Sequence, residues 1–245
     1  MFTIPNYTCL FATIFQLSFA AVPFQVCKRT DPKLAECLKP AIENALILLE
    51  NGFPEYGIPS IQPISVESWM DPARPPLVYD QKFRNSKFYN YPLTKIEDLS
   101  INIDDPKIFI GFTAHNHNLS YETEFEFDGA IIDGEDLSCS GDLTCIYTEM
   151  EFQLNFTGIE VTIGVDKKIN ITNVDMNVIS MERFYIEFRG KDTERVTKLS
   201  KFYHDNAQYL VAKEKDVYEQ AYANIFKVVA NDVLSKFSFD SLFPK

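Results

Sequence analysis

Hydrophobic positions change their period along this chain, and each change predicts an element. Leu34, Cys37, Leu38, Ala41, Ile42, Ala45, Leu48 and Leu49 recur at i, i+3, i+4 spacing, the mark of an amphipathic helix. Asp31 is placed to cap it and Pro32 fits its first position. Pro40 removes a backbone donor and should kink it, and Gly52 stops it. The connector GFPEYGIPSIQP, with three Pro and two Gly, reads as extended chain.

From about Ile64 to Arg189 the period is two. Leu119, Tyr121, Thr123, Phe125 and Phe127 alternate with Glu122, Glu124 and Glu126. Ile146, Thr148, Met150, Phe152, Leu154 and Phe156 alternate with Glu149, Glu151, Gln153 and Asn155. Ile159, Val161, Ile163 and Val165 follow, then Phe184, Ile186 and Phe188. Successive strand side chains point to opposite faces, so each segment has one wet and one oily face. Asp128-Gly129, Asp133-Gly134 and Ser140-Gly141 read as turns between them. The pattern predicts a long antiparallel meander buried on one side.

Between Gly190 and Pro244 there is no Gly or Pro. Leu199, Phe202, Tyr203, Asn206, Leu210, Val217, Ala221, Ile225, Val228 and Val229 mark a helical stripe from about Thr197 to Phe237. A helix of about 40 residues would be about 60 Å long, more than a small core needs. A sheet wrapped around it would give each the apolar cover the other lacks. The expected class is α+β, a long C-terminal helix wrapped by a curved antiparallel sheet, in one domain over residues 21–245.

The first 27 residues carry no charged side chain, and Cys9–Ala21 is an apolar run ending in small residues. This reads as a secretory signal peptide over residues 1–20. The rival is a retained anchor, but Pro5, Asn6, Gln16 and Pro23 interrupt the roughly 20 apolar residues a span needs. Cleavage removes Cys9 and leaves Cys27, Cys37, Cys139 and Cys145. Four cysteines allow three pairings, of which spacing favours the short loops Cys27–Cys37 and Cys139–Cys145. Sequons at Asn118, Asn155 and Asn170 fall on the polar parity of the strands. A secreted, extracellular glycoprotein is expected.

The formal charge of −12, from 23 Lys+Arg against 35 Asp+Glu, excludes a nucleic-acid partner and disfavours anionic lipid. No cofactor and no metal is expected: cysteine pairs at zinc spacing are absent, and His115 and His117 have no third ligand nearby in the chain. Leu137-Ser138-Cys139-Ser140-Gly141 only brushes past a nucleophile elbow, and the Glu122/Glu124/Glu126 ladder reads as a solvated strand face. Asp104-Asp105 before Pro106 is turn chemistry. An enzyme is not expected.

Two stretches are specific in combination. CKRTDPKLAECLKPAIENALILLENGFPEYGIPSIQPI, Cys27 to Ile64, and LSKFYHDNAQYLV with the closing Phe239-Asp240-Ser241-Leu242-Phe243-Pro244 resemble the takeout/juvenile-hormone-binding proteins of insects, in particular the takeout-like branch. The resemblance spans the mature chain. It implies a helix wrapped by a curved sheet around an elongated apolar tunnel, and a hydrophobic small-molecule ligand that is fatty-acid-like, isoprenoid or juvenile-hormone-like. It also implies roles such as circadian output and chemosensation. Where takeout-like chains often carry Asn-Trp, this chain has Asn206-Ala207, which reshapes whatever the indole packs against.

On that reading Phe125, Phe127, Met150, Phe152, Phe156, Tyr203, Leu210, Val217 and Ile225 are the tunnel-lining candidates, though each serves equally as filled core. A monomer is expected, with no stable membrane insertion and a protein receptor as a possible partner. Two alternatives keep the same fold: a secreted interaction module that has lost its ligand, and a lipid-transfer protein.

Overall fold

In the computed structural model residues 22–103 and 107–245 are described. The expected leader with Cys9, and the Asp104-Asp105-Pro106 turn, lie outside them.

The first helical pattern becomes α1 (Leu34–Leu48), which runs on through Pro40. It starts later than Asp31 and Pro32 suggest. The Asp31 side chain accepts the Lys33 amide at 2.8 Å and its carbonyl accepts the Leu34 amide at 3.1 Å, so Asp31 builds the turn before the helix. Cys27 and Cys37 form a disulfide that ties the incoming chain to α1.

The alternating region forms β1 (Ile64–Asp71), β2 (Asp80–Tyr89), β3 (Lys95–Asn102), β4 (Lys107–Asp128), β5 (Ile131–Ile132), β6 (Glu135–Asp136), β7 (Cys139–Ile163), β8 (Asp166–Ser180) and β9 (Arg183–Arg189). β5 and β6 pair with each other as a small hairpin turned at Asp133-Gly134, with φ of +52° and +81°. The other seven form one strongly curved antiparallel sheet.

It is not a simple meander. β4 and β7, 22 and 25 residues long, pair along nearly their whole lengths as a spine. One half of the spine is flanked by β2 and β9, with β1 beyond β2; the other half is flanked by β3 and β8.

Inward parity switches where the two halves meet. β4 buries Ile108, Ala114 and Asn116, then Leu119, Tyr121, Thr123, Phe125 and Phe127. β7 buries Leu143 and Cys145, then Met150, Phe152 and Leu154. At the changeover Glu149 has φ +48°. The sequence parity that put Ile146 and Thr148 inward holds only from Met150 on, because a single left-handed residue flips every side chain before it.

Ser140-Gly141 is not a turn. Gly141 lies inside β7, where a Cβ would overlap the Arg189 carbonyl of β9. This overturns the expected Cys139–Cys145 bridge. Both cysteines lie in the same extended strand, about 20 Å apart at ~3.3 Å per residue, beyond any disulfide's reach. Both are free thiols.

The expected single C-terminal helix is two, α2 (Thr193–Asp205) and α3 (Ala207–Leu234), followed by α4 (Phe239–Leu242). The break is Asn206, at φ −110° and ψ 11°, whose side-chain amide donates to the Phe202 carbonyl at 2.8 Å. Asn competes with the helix for such carbonyls. α1 packs on β3, α2 on β9 and α3 along β8. Among the described residues no helix is long and apolar enough to cross a membrane.

Candidate ligand-binding site

Space inside the curve of the sheet is strung along α3. A distal cavity of about 240 Å³ lies between α1, the β3/β8 half of the sheet and the C-terminal half of α3. Ile42, Phe112, Phe152, Phe156, Phe226 and Val233 are among its walls. The Thr94 hydroxyl, one of the few polar groups there, accepts from Asn116 Nδ2 at 3.0 Å.

A second cavity of about 250 Å³ lies beneath the tip of β8, walled by Met150, Val178, Phe184, Val211, Tyr218 and Tyr222. Between them is a small central void of about 40 Å³ bounded by Trp69, Phe127, Tyr203, Tyr218 and Ile225. Outside α3, a groove of about 780 Å³ runs beside the 58–66 connector and reaches solvent at Met70 and Val228, which are 54% and 60% exposed.

The central void shares single side chains as walls with the β8-tip cavity and with the groove. Tyr147, Tyr218 and Tyr222 face both the central void and the β8-tip cavity, and Trp69 and Ile225 face both the void and the groove. Between void and distal cavity stands a row of rings. Phe88 packs on Tyr222 at 5.4 Å, Tyr222 stacks on Phe226 at 6.4 Å, and Phe226 meets Tyr91 at 5.3 Å. Tyr222 and Phe226 are one helical turn apart, so i, i+4 spacing aligns them into one partition.

Around the central void the polar groups are neutral and their partners are at hand. Trp69 Nε1 donates to Ser86 Oγ and to the Tyr121 hydroxyl, both at 3.1 Å. Tyr203 donates to Gln81 Oε1 at 3.1 Å, and its hydroxyl lies 2.9 Å from that of Tyr79. Burial holds Tyr147, Tyr203 and Tyr222 well above the usual phenol range and pushes Tyr79 up to about 12. These groups are hydrogen-bonding phenols, not phenolates.

A buried charge cluster lies beside Tyr203. Arg74 is held by Asp71 and Glu214, both carboxylates fully buried. Gln81 Nε2 approaches Asp71 Oδ2 at 3.4 Å and so links this cluster to Tyr203. Glu214 Oε1 has no hydrogen-bond partner. One guanidinium faces two carboxylates, and burial raises the Asp71 pKa against the pull of Arg74.

The sequence candidates divide. Phe127 and Tyr203 face the central void, Met150 the β8-tip cavity, Phe152 and Phe156 the distal cavity, and Ile225 both void and groove. Phe125 packs in the core against Phe127 and Phe188, and Leu210 is likewise buried core. Val217 is only half-buried, because the inward register of α3 at that level is occupied by Glu214 and Tyr218. Sequence reasoning missed Tyr222, Phe226 and the Arg74 cluster. A stripe read by hydropathy passes over a buried glutamate, and Arg74 in the β1–β2 loop carries no periodic signal.

Of the sequon asparagines, Asn118 and Asn170 are exposed and Asn155 is half-buried beside Gly111. Glu149 comes from across the sheet to within 2.9 Å of both His115 Nε2 and His117 Nδ1.

No curated protein matches the sequence. The structure is similar to the crystal structure of Epiphyas postvittana Takeout 1, with a TM-score of 0.70 at 10% identity over 86% of this chain and 96% of that chain. A likeness to lipopolysaccharide binding protein has a TM-score of 0.38 at 7% identity over 82% of this chain and 38% of that one. The sequence model for haemolymph juvenile hormone binding protein matches residues 8–244. With the curved sheet, the C-terminal helix and this match over nearly its whole length, the chain belongs to the haemolymph juvenile hormone binding protein family.

Proposed function

We propose that this protein is a secreted carrier that holds a hydrophobic small molecule between α3 and the curved sheet and releases it without covalent chemistry. The observation that carries the reading is the distal cavity: about 240 Å³ walled almost wholly by carbon. An apolar recess of this size with almost no polar lining is the kind of concave space that takes a small hydrophobic ligand. Binding would draw on desolvation of the ligand, at roughly 25 cal/mol per Å² of apolar surface buried.

Rotation of Tyr222 and Phe226 would join the distal cavity to the central void as one tunnel, with a polar ligand end meeting Tyr203 and Gln81. Fatty-acid-like, isoprenoid and juvenile-hormone-like molecules all have this form, an apolar body with one weakly polar end. The two free thiols, Cys139 in the stretch that brushes past a nucleophile elbow and Cys145 beyond it, support the non-catalytic reading. Burial raises the Cys139 pKa and pushes Cys145 up to about 12, so neither is an activated nucleophile. Secretion is supported by the family, by the Cys27–Cys37 bridge and by the leader-like sequence.

Native mass spectrometry of protein secreted from insect cells, with organic extraction of anything released, tests the proposal. An equimolar apolar molecule is the expected result. A protein that emerges empty and takes up neither fluorescent fatty acids nor terpenoids would overturn it in favour of an interaction module.

A further inference from the structure

The junction of the two halves of the spine carries a second constellation, on the outer face of the sheet and away from the cavities. At Glu149 the backbone turns left-handed, φ +48°, opposite His117. The flip brings His115, His117 and Glu149 to the same outer surface. His115 Nε2 and His117 Nδ1 each lie 2.9 Å from Glu149 Oε2, and the two rings meet edge to face at 4.7 Å. One donor atom from each residue falls within 4.8 Å of the others.

We infer that His115, His117 and Glu149 form a binding site for one divalent transition-metal cation of the zinc class. Two imidazoles and a carboxylate are a recognised zinc donor set. Zinc–ligand bonds of about 2.0–2.2 Å set tetrahedral donors a little over 3 Å apart, so each imidazole nitrogen, now 2.9 Å from Glu149 Oε2, need only draw back from it by a few tenths of an ångström. The His115 side chain is 23% exposed and that of His117 74%. The site is thus anchored on one side and open to solvent on the other, with room for water to complete the shell.

The surrounding charges favour a cation. Glu151 lies cross-strand from His115 in the register and adds a second carboxylate to this stretch of β7. The nearest opposing group in the register, Lys95 on β3, is turned toward α1, where its ammonium pairs with Glu43 at 3.3 Å. An ion here would pin β4 to β7 at the point where both strands change parity.

The test uses full-length secreted protein, untagged, enzymatically deglycosylated at Asn118 and stripped with chelator. Zinc chloride is titrated by calorimetry, and cobalt(II) is followed by its visible d–d absorption. Saturable one-to-one binding is expected, and it should weaken at least about 100-fold in His117→Gln and in Glu149→Gln, since even losing a residue that only supports a ligand costs 10–100-fold. Exposed His204 lies on α2, so His204→Gln should bind as the parent does. Zinc should also raise the thermal midpoint of the parent and of His204→Gln but not of His117→Gln. Circular dichroism checks that each variant is folded. Absence of saturable binding, or equal affinity in folded His117→Gln, overturns the site.

Discussion

The hydroxyls of Tyr79 and Tyr203 lie 2.9 Å apart with both rings buried, and Tyr203 donates a hydrogen bond to Gln81 Oε1 at 3.1 Å. Tyr79 sits in the β1–β2 loop and Tyr203 in the last turn of α2, so this relay fastens the helical end of the chain to the sheet. Tyr203→Phe keeps the ring and removes the donor, leaving a buried acceptor on Gln81 unpaired. The expected cost is about 1–3 kcal/mol, read as a lower urea midpoint at unchanged m-value. If the polar end of the ligand docks here, the variant also loses affinity for an alcohol or acid relative to the matching hydrocarbon. Equal losses for both would move the polar end elsewhere.

Phe152 and Ala230 separate packing from binding in the distal cavity. Phe152 is 1% exposed and Phe156 only half-buried, although both face the same space. Phe152→Ala should therefore cost about 3–5 kcal/mol of stability and Phe156→Ala clearly less. Ala230 lines the same cavity from α3, and Ala230→Phe builds a ring into a space of about 240 Å³. It should weaken binding of a fluorescent fatty acid at least tenfold with a thermal midpoint close to the parent's. Unchanged affinity would place the ligand outside this cavity.

How far the sequence announces this structure depends on the kind of signal each part leaves. The amphipathic stripe of α1, the alternation of Leu119 to Phe127 and the Cys27–Cys37 bridge follow from local periodicity and short spacing. Glu149 leaves no such trace. A positive φ at one glutamate reverses the faces of its strand, so Ile146 reads inward while Leu143, Cys145 and Tyr147 hold that place. Gly141 looks like a turn residue and is instead a close approach between strands, and the supposed hairpin cysteines fall on one extended strand. Glu214 is hidden for the opposite reason, since its polarity marks it for solvent while Arg74, 140 residues earlier, makes burial possible. The aromatic partition of Tyr222 and Phe226 is visible as residues but not as a wall, because its neighbours Phe88 and Tyr91 come from distant chain.

The state of Cys139 and Cys145 can be read chemically. Cys139 is partly exposed and Cys145 is 4% exposed, with burial raising both thiols, Cys145 to about 12. Thiolate is the reactive form, so native protein at pH 8 should alkylate slowly at Cys139 and not at Cys145. Peptide mapping after iodoacetamide should find both modified once guanidinium is added without reductant, with Cys27 and Cys37 still protected. Protection of all four under those conditions would mean that Cys139 and Cys145 are oxidised.

Arg74 pairs with two fully buried carboxylates, Asp71 and Glu214. Arg74→Met leaves Asp71 and Glu214 without a cation and should cost about 3–5 kcal/mol at pH 7, as breaking one side of a buried pair does. The loss should depend on pH in a definite direction. Burial already raises the folded-state pKa of Asp71 and Arg74 opposes it, so removing Arg74 raises it further. A carboxyl whose folded pKa exceeds its unfolded value binds more protons when folded, so stability falls as pH rises from about 3.9. The deficit of Arg74→Met relative to the parent should accordingly be smallest near pH 4 and grow toward pH 7. Urea denaturation at pH 4.5 and pH 7 measures it, and a deficit independent of pH would show that the arginine acts through packing and not through its charge.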